Sequence, residues 1–333
     1  MNILIPVIIG AVGASVYKNH KKNSPNSRQN NINIKEEIKE TPKTVDTGSA
    51  SFNHLPLNVK EIASRIEANL GRKDLSAFHH NIKNLKITNK LDLFDSKCNV
   101  NKTVFESLYY PSLNKIYISN KCNNFSLSHE MLHLSSTRVN GRVAYCGFNQ
   151  ISPQGNVAVG INEGYTELLA TRYFGDMPHK YTYITEQAYA GIVETLIGKN
   201  KMENLYLQSD LNGLMNALCS YYSMNDVQKF IKSVDIISKA STYGIDKVNR
   251  KSLDYALLFA NTFAVNALEE KIRRSANDPD VMYKSRTLLK KALSGSYSLA
   301  KSGSEVKDEL SLMMDNLKFM EPVRQRVYSK TRR

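Results

Sequence analysis

From Leu57 to Leu70 the apolar residues Val59, Ile62, Ile66 and Leu70 recur every three or four positions. That period predicts an amphipathic helix, and Gly71 is a natural terminator. Leu85 to Leu93 alternates apolar and polar residues, which predicts a strand. Val104–Tyr110 and Leu113–Ile118 flank Pro111-Ser112 and predict a hairpin. Leu127 to Ser136 returns to helical spacing, with Leu127, Met131 and Leu134 on one face and Ser126 or Asn124 as the cap. A second hairpin is predicted from Val143 to Val159, around the turn Ser152-Pro-Gln-Gly155. Ile161 to Phe174 is again helical and stops at Gly175, with Pro178 close behind.

From about residue 180 to 318 the pattern is helical almost throughout, as in Gln187–Ile197, Asn225–Lys239, Ser252–Ile272 and Val281–Leu293. The Tyr, Leu and Met residues there sit at core spacing. Short strands and two helices followed by a long helical run define an α+β chain. The expected division is 53–178 for the mixed part and 179–333 for a helical region with a basic tail.

The ends differ from this middle. Met1 to Tyr17 is nearly free of polar side chains, Asn2 and Ser15 excepted, and is followed by Lys18, His20, Lys21 and Lys22. A spanning helix needs roughly 20 apolar residues, so the run is short. Its basic residues come after it, not before, which favours an N-terminal membrane anchor with the main domain in the cytoplasm. Ala11 and Ala14 offer the alternative of a cleaved signal and a secreted chain. Residues 18–52 are rich in Asn, Lys, Ser, Glu and Thr and read as a flexible linker.

Composition adds little to this outline. The chain has 333 residues, of which 41% are hydrophobic and 23% charged, ordinary values for a globular protein. The formal net charge of +14 suits acidic partners, but much of the excess lies in the tails. Nucleic acid is not the expected partner: there is no zinc-finger spacing and no RNA-binding aromatic motif. Cys98, Cys122, Cys146 and Cys219 show no CxxC spacing, which excludes a cysteine zinc site and favours reduced thiols.

The chemistry is concentrated in one helix. His129-Glu130-Met131-Leu132-His133 is an HExxH motif. Positions i and i+4 share a helix face, so both imidazoles can reach one ion. A catalytic zinc takes three protein ligands and leaves a position for water. A third ligand is available in Gly160-Ile-Asn-Glu-Gly-Tyr-Thr-Glu167, which opens the next helix with Glu163 in its first turn and Glu167 on the same face.

HExxH followed by such a helix resembles the gluzincin metallopeptidases, of which the thermolysin-like peptidases and gluzincin aminopeptidases are familiar members. The chain is more similar still to small bacterial proteins with a Tyr-x-Gly-Phe segment ahead of an Asn-Glu-Gly-Tyr-Thr-Glu helix, here Tyr145-Cys-Gly-Phe148 and Asn162–Glu167. The resemblance covers about residues 100–175. It implies a zincin-like catalytic domain and a zinc-dependent endopeptidase acting on peptide or protein substrates. It implies Zn2+ held by His129, His133 and Glu163, with Glu130 as general base. Glu167 would orient one histidine, and Asn162 would hold the ligand loop. Tyr145 is the first choice for an oxyanion donor, ahead of Tyr165 and His179. The gap from His133 to Glu163 is longer than in the thermolysin group, and the aminopeptidase GxMEN signature is missing. The competing expectation is an inactive, membrane-tethered zinc-binding module whose helical half does the work.

Overall fold

The computed structural model describes residues 55–89, 106–178, 182–276 and 278–318. The apolar run 1–17, the linker, Cys98, His179 and the basic tail lie outside them. The protein is mixed α+β. Residues 52–333 form one compact unit, so the mixed and helical parts expected on either side of residue 178 share a core.

The order begins with α1 (Leu57–Leu70), α2 (Ser76–Lys83) and β1 (Lys86–Thr88). β2 (Ser107–Tyr110) and β3 (Lys115–Ile118) are joined by a 3-10 turn at Pro111–Leu113, the hairpin expected around Pro111. The sheet order is β1-β3-β2, with β1 parallel and β2 antiparallel to β3. Then come α3 (Asn124–Ser135) and a four-stranded meander of β4 (Thr137–Asn140), β5 (Val143–Cys146), β6 (Asn149–Ser152) and β7 (Gly155–Val157). The second predicted hairpin is thus three strands, because Gly147-Phe148 makes a turn of its own, and β4 adds a fourth.

The helical remainder is α4 (Val159–Phe174), α5 (Ile184–Ile197), α6 (Lys199–Leu207), α7 (Leu211–Leu218), α8 (Met224–Tyr243), α9 (Arg250–Arg274), α10 (Pro279–Leu299) and α11 (Glu305–Lys318). None of the helices among the described residues is long and apolar enough to cross a membrane.

Helix α3 is the centre of the fold. Every residue from Leu127 to Ser135 is buried, polar ones included. It packs against α1, α2 and β2 on one side and α4 on the other. Its cap is Asn123, not Ser126 or Asn124: the Asn123 side chain accepts from the Ser126 backbone N–H at 2.8 Å. The Ser126 hydroxyl instead donates to Glu106, at 2.6 Å. Glu106 places a carboxylate at the positive end of the helix. At the other end, Asn81 of α2 donates to the Leu134 and Thr137 carbonyls.

Helix α4 has no local cap, since Ala158 sits in the left-handed region at φ 63°. Asp235 of α8 does that work from a distance, accepting from the Ala158 and Gly160 N–H groups at 2.9 and 2.8 Å. Burial raises this carboxyl to about 6 against those hydrogen bonds.

Gly147 joins β5 to β6 at φ 57°, and a side chain there would run into Asn162 and Tyr206. Gly141 has a similar φ of 58° but faces open space. Gly147→Ala should therefore lower unfolding stability by more than the roughly 1–3 kcal/mol of a strained backbone alone, and by more than Gly141→Ala does. Urea midpoints of the two variants check this.

Candidate metal centre

The i, i+4 spacing on α3 points His129 and His133 the same way, and α4 crosses α3 so that Glu163 meets them. The two Nε2 atoms are 3.1 Å apart, and each lies 3.3 Å from Glu163 Oε2. A tetrahedral ion with ligand bonds of roughly 2.0–2.1 Å separates its ligand atoms by roughly 3.3–3.4 Å. The triangle fits that requirement, and the three residues could hold a metal ion. The histidines are nearly buried, while the Glu163 side chain keeps 19% of its exposure, so the open side of the triangle is the carboxylate's.

Glu163 sits one residue beyond the first turn of α4, because the helix begins at Val159 and not at Ile161. Its neighbour Gly164 lies where the α5 backbone at Glu186 crosses, and no side chain would fit there.

The far nitrogens of both rings are held. His129 Nδ1 meets Glu167 Oε2 at 3.0 Å, one turn along α4 from Glu163. Such a carboxylate fixes the tautomer that leaves Nε2 free for a metal. His133 Nδ1 faces Thr166 Oγ1 at 3.4 Å, Asn162 Nδ2 at 3.4 Å and Cys146 Sγ at 3.6 Å. Thr166 is the acceptor that suits a protonated Nδ1, since its hydroxyl donates onward to the Asn162 carbonyl. Asn162 also accepts from the Phe148 N–H at 3.0 Å, tying the β5–β6 turn to α4. The Tyr-x-Gly-Phe and Asn-Glu-Gly segments are thus in direct contact beside His133.

The Glu130 carboxylate, next to His129 in the chain, is held by β2. It accepts from the Tyr109 N–H at 2.8 Å and the Ser107 hydroxyl at 3.2 Å. β2 is an edge strand of its sheet, so this carboxylate is bound at a sheet edge.

Burial works against charge on His129, but hydrogen bonds from Glu163 and Glu167 outweigh it and raise the ring to about 9. His133 is likewise buried yet raised well above the ordinary imidazole value, chiefly by the Glu163 charge. Burial pushes Glu163 up, and the two imidazoles more than reverse this, holding it far below the usual carboxylate range. Without a metal the site is thus an imidazolium–carboxylate cluster near neutral pH.

Tyr145 is not brought to the cluster. Side chains alternate along a strand. Cys146 is the β5 residue that turns inward to His133, so Tyr145 lies on the opposite, half-buried face. Tyr165 is core, enclosed by Phe148 and Tyr206 and donating to Glu194 at 3.3 Å. The aromatic residue that does reach the site is Tyr183, whose ring stacks on His129 with centroids 5.6 Å apart. Burial and the Glu163 and Glu130 carboxylates raise its phenol well above the ordinary value. It lies outside both motif segments, and no spacing in the sequence singles it out from Tyr181 nearby.

Comparison with protein-family models, curated proteins and solved structures found no match. The functional reading therefore stands on these residues and their geometry.

Ligand nitrogens must lose their protons to bind a metal. Because the His129 ring is raised to about 9 and the Glu163 charge raises His133 as well, metal uptake at pH 7 should release protons. Release should fade above pH 9, and affinity should drop as pH is lowered. Calorimetry in buffers of different ionisation enthalpy measures both. Glu167→Gln should weaken metal binding by about 10–100-fold, and Glu163→Ala by more. Competition with a chromogenic chelator ranks them.

Proposed function

We propose that the chain is a zinc-dependent metallopeptidase of gluzincin type, with a zincin-like mixed part and Zn2+ held by His129, His133 and Glu163. One observation carries the reading. A His-His-Glu triangle of zinc dimensions lies beside a carboxylate, Glu130, held at the edge of a β-strand. Two imidazoles and one carboxylate are a ligand set that a hydrolytic zinc uses, with a position left for water.

When bound, zinc supplies an acidified water and polarises a carbonyl. The chain's own groups do the rest. Glu130 is the general base. Its two oxygens each spend one lone pair on β2, at Ser107 and Tyr109, and keep another to accept a proton from water and pass it to the leaving amine. The Tyr109 N–H fixes where that carboxylate points. Glu167 keeps the His129 ring oriented, and Thr166 does the same for His133. Tyr183, whose ring stacks on His129, is our candidate for the hydroxyl that donates to a developing oxyanion, the role first expected of Tyr145.

The test joins metal analysis to a cleavage assay on an unfolded protein substrate. Wild type should carry one zinc per chain and cut. Glu130→Gln should keep its zinc and lose about 10²–10⁴-fold in turnover, the usual share of a general base. Undiminished cleavage by Glu130→Gln would refute the mechanism. Zinc without cleavage in wild type would favour a metal-holding module that does not turn over substrate.

A further inference from the structure

Beside Tyr183 a groove of about 570 Å³ runs between the start of α5, the end of α8 and one face of α10. Its lining includes Thr182 and Thr185 from α5 and the residues before it, Ser241 from α8, and Lys290, Lys291 and Ser294 from α10. Six of the lining residues carry hydroxyls, two carry ammonium groups, and none is acidic. Neither lysine is paired with a carboxylate among the described residues. The first turn of α5, whose Thr185 lines the groove, has no side-chain cap at Tyr183. Glu186, the acid of that turn, is turned inward and fully buried. Unpaired ammonium groups, hydroxyls and the positive end of a helix share one preference, which is a carboxylate-like anion.

The groove and the metal triangle share a rim. Tyr183 stacks on His129, while its neighbours Thr182 and Ile184 line the groove. Ser241, near the end of α8, lines the groove as well. Tyr183 thus links the triangle to the groove through its two chain neighbours.

We propose that the groove is a substrate subsite that binds a carboxylate of the peptide, either an acidic side chain or the free C-terminus, through Lys290 and Lys291. The proposal rests on the peptidase reading above and names the substrate class that it leaves open. Specificity here comes from charge at a distance from the reacting bond, so it acts on which peptides are held and not on the hydrolytic step.

The test uses the zinc-loaded full chain and two measurements. In the first, an acetylated glutamate pentapeptide amide, its glutamine counterpart, and the glutamine peptide with a free C-terminus are compared for binding by anisotropy at 0.15 M salt. Wild type should bind at least one carboxylate-bearing peptide about ten-fold more tightly than the neutral amide, which is about one well-placed charge-assisted contact. The glutamate amide and the free-terminus peptide separate the two carboxylate sources. The preference should vanish in Lys290→Gln/Lys291→Gln and invert in Lys290→Glu/Lys291→Glu. Lys83→Glu/Lys86→Glu, on α2 and β1, makes the same change in net charge and should keep the preference. If this control loses it equally, or the groove variants keep it, the subsite is refuted.

In the second measurement, kcat/KM is compared for peptides with Glu or Gln at successive positions around the cleaved bond. The Glu preference should appear at positions on one side only and disappear in the groove variants. Absence of cleavage of every peptide refutes the peptidase reading, and the binding measurement still decides the groove. Equal cleavage of Glu and Gln peptides, together with equal cleavage of free-terminus and amide peptides, refutes the subsite and leaves the peptidase reading intact.

Discussion

The rest of the site depends on the crossing of α3 and α4. Two imidazoles one turn apart on a buried helix are costly groups unless something compensates them, because polar side chains lose water on burial. Glu163 compensates them from the second helix, and Glu167, Thr166 and Asn162 of that same helix hold the far sides of the rings. One helix thus provides the third ligand and nearly all of the orienting contacts. If the crossing shifts by a residue, all of these are lost together.

The surrounding structure keeps this crossing in place. Gly164 lets α5 lie directly on α4. Asp235 of α8 anchors the first turn of α4 in place of a local cap. The Gly147-Phe148 turn is pinned by Asn162 from below. Further along α4, Arg172 bridges Glu194 of α5 and Glu203 of α6, at 2.8 and 3.3 Å. The helical half of the chain is therefore not an appendage to the metal site but the scaffold that presses α4 onto α3.

The same scaffold shapes the approach to the site. The start of α5 presents Tyr183 to the cluster and, with the end of α8, hydroxyl residues to the groove. α10 closes the far wall with its lysine pair. On the proposed reading, the chemistry belongs to α3 in the mixed part, and the surface that would meet a substrate belongs to the helical part. This division explains why the 180–318 stretch shows a helical pattern but no chemical motif of its own.

The sequence by itself determined whatever depends on local spacing. HExxH puts two imidazoles on one face wherever that helix lies, and Glu163 with Glu167 does the same for two carboxylates, so the two pairs that make up the cluster were readable from periodicity. The helices and the Pro111 hairpin were readable for the same reason. Only the tertiary structure decided matters that turn on which face or which neighbour a residue meets. The cap of α3 is Asn123 because Ser126 spends its hydroxyl on Glu106, a residue 20 positions away. Tyr145 is excluded from the site and Cys146 admitted by one step of strand alternation, whose phase is set by pairing with β4 and β6. Tyr183 stacks on a histidine 54 positions earlier, and a contact between distant segments leaves no period in the chain for a reader to find.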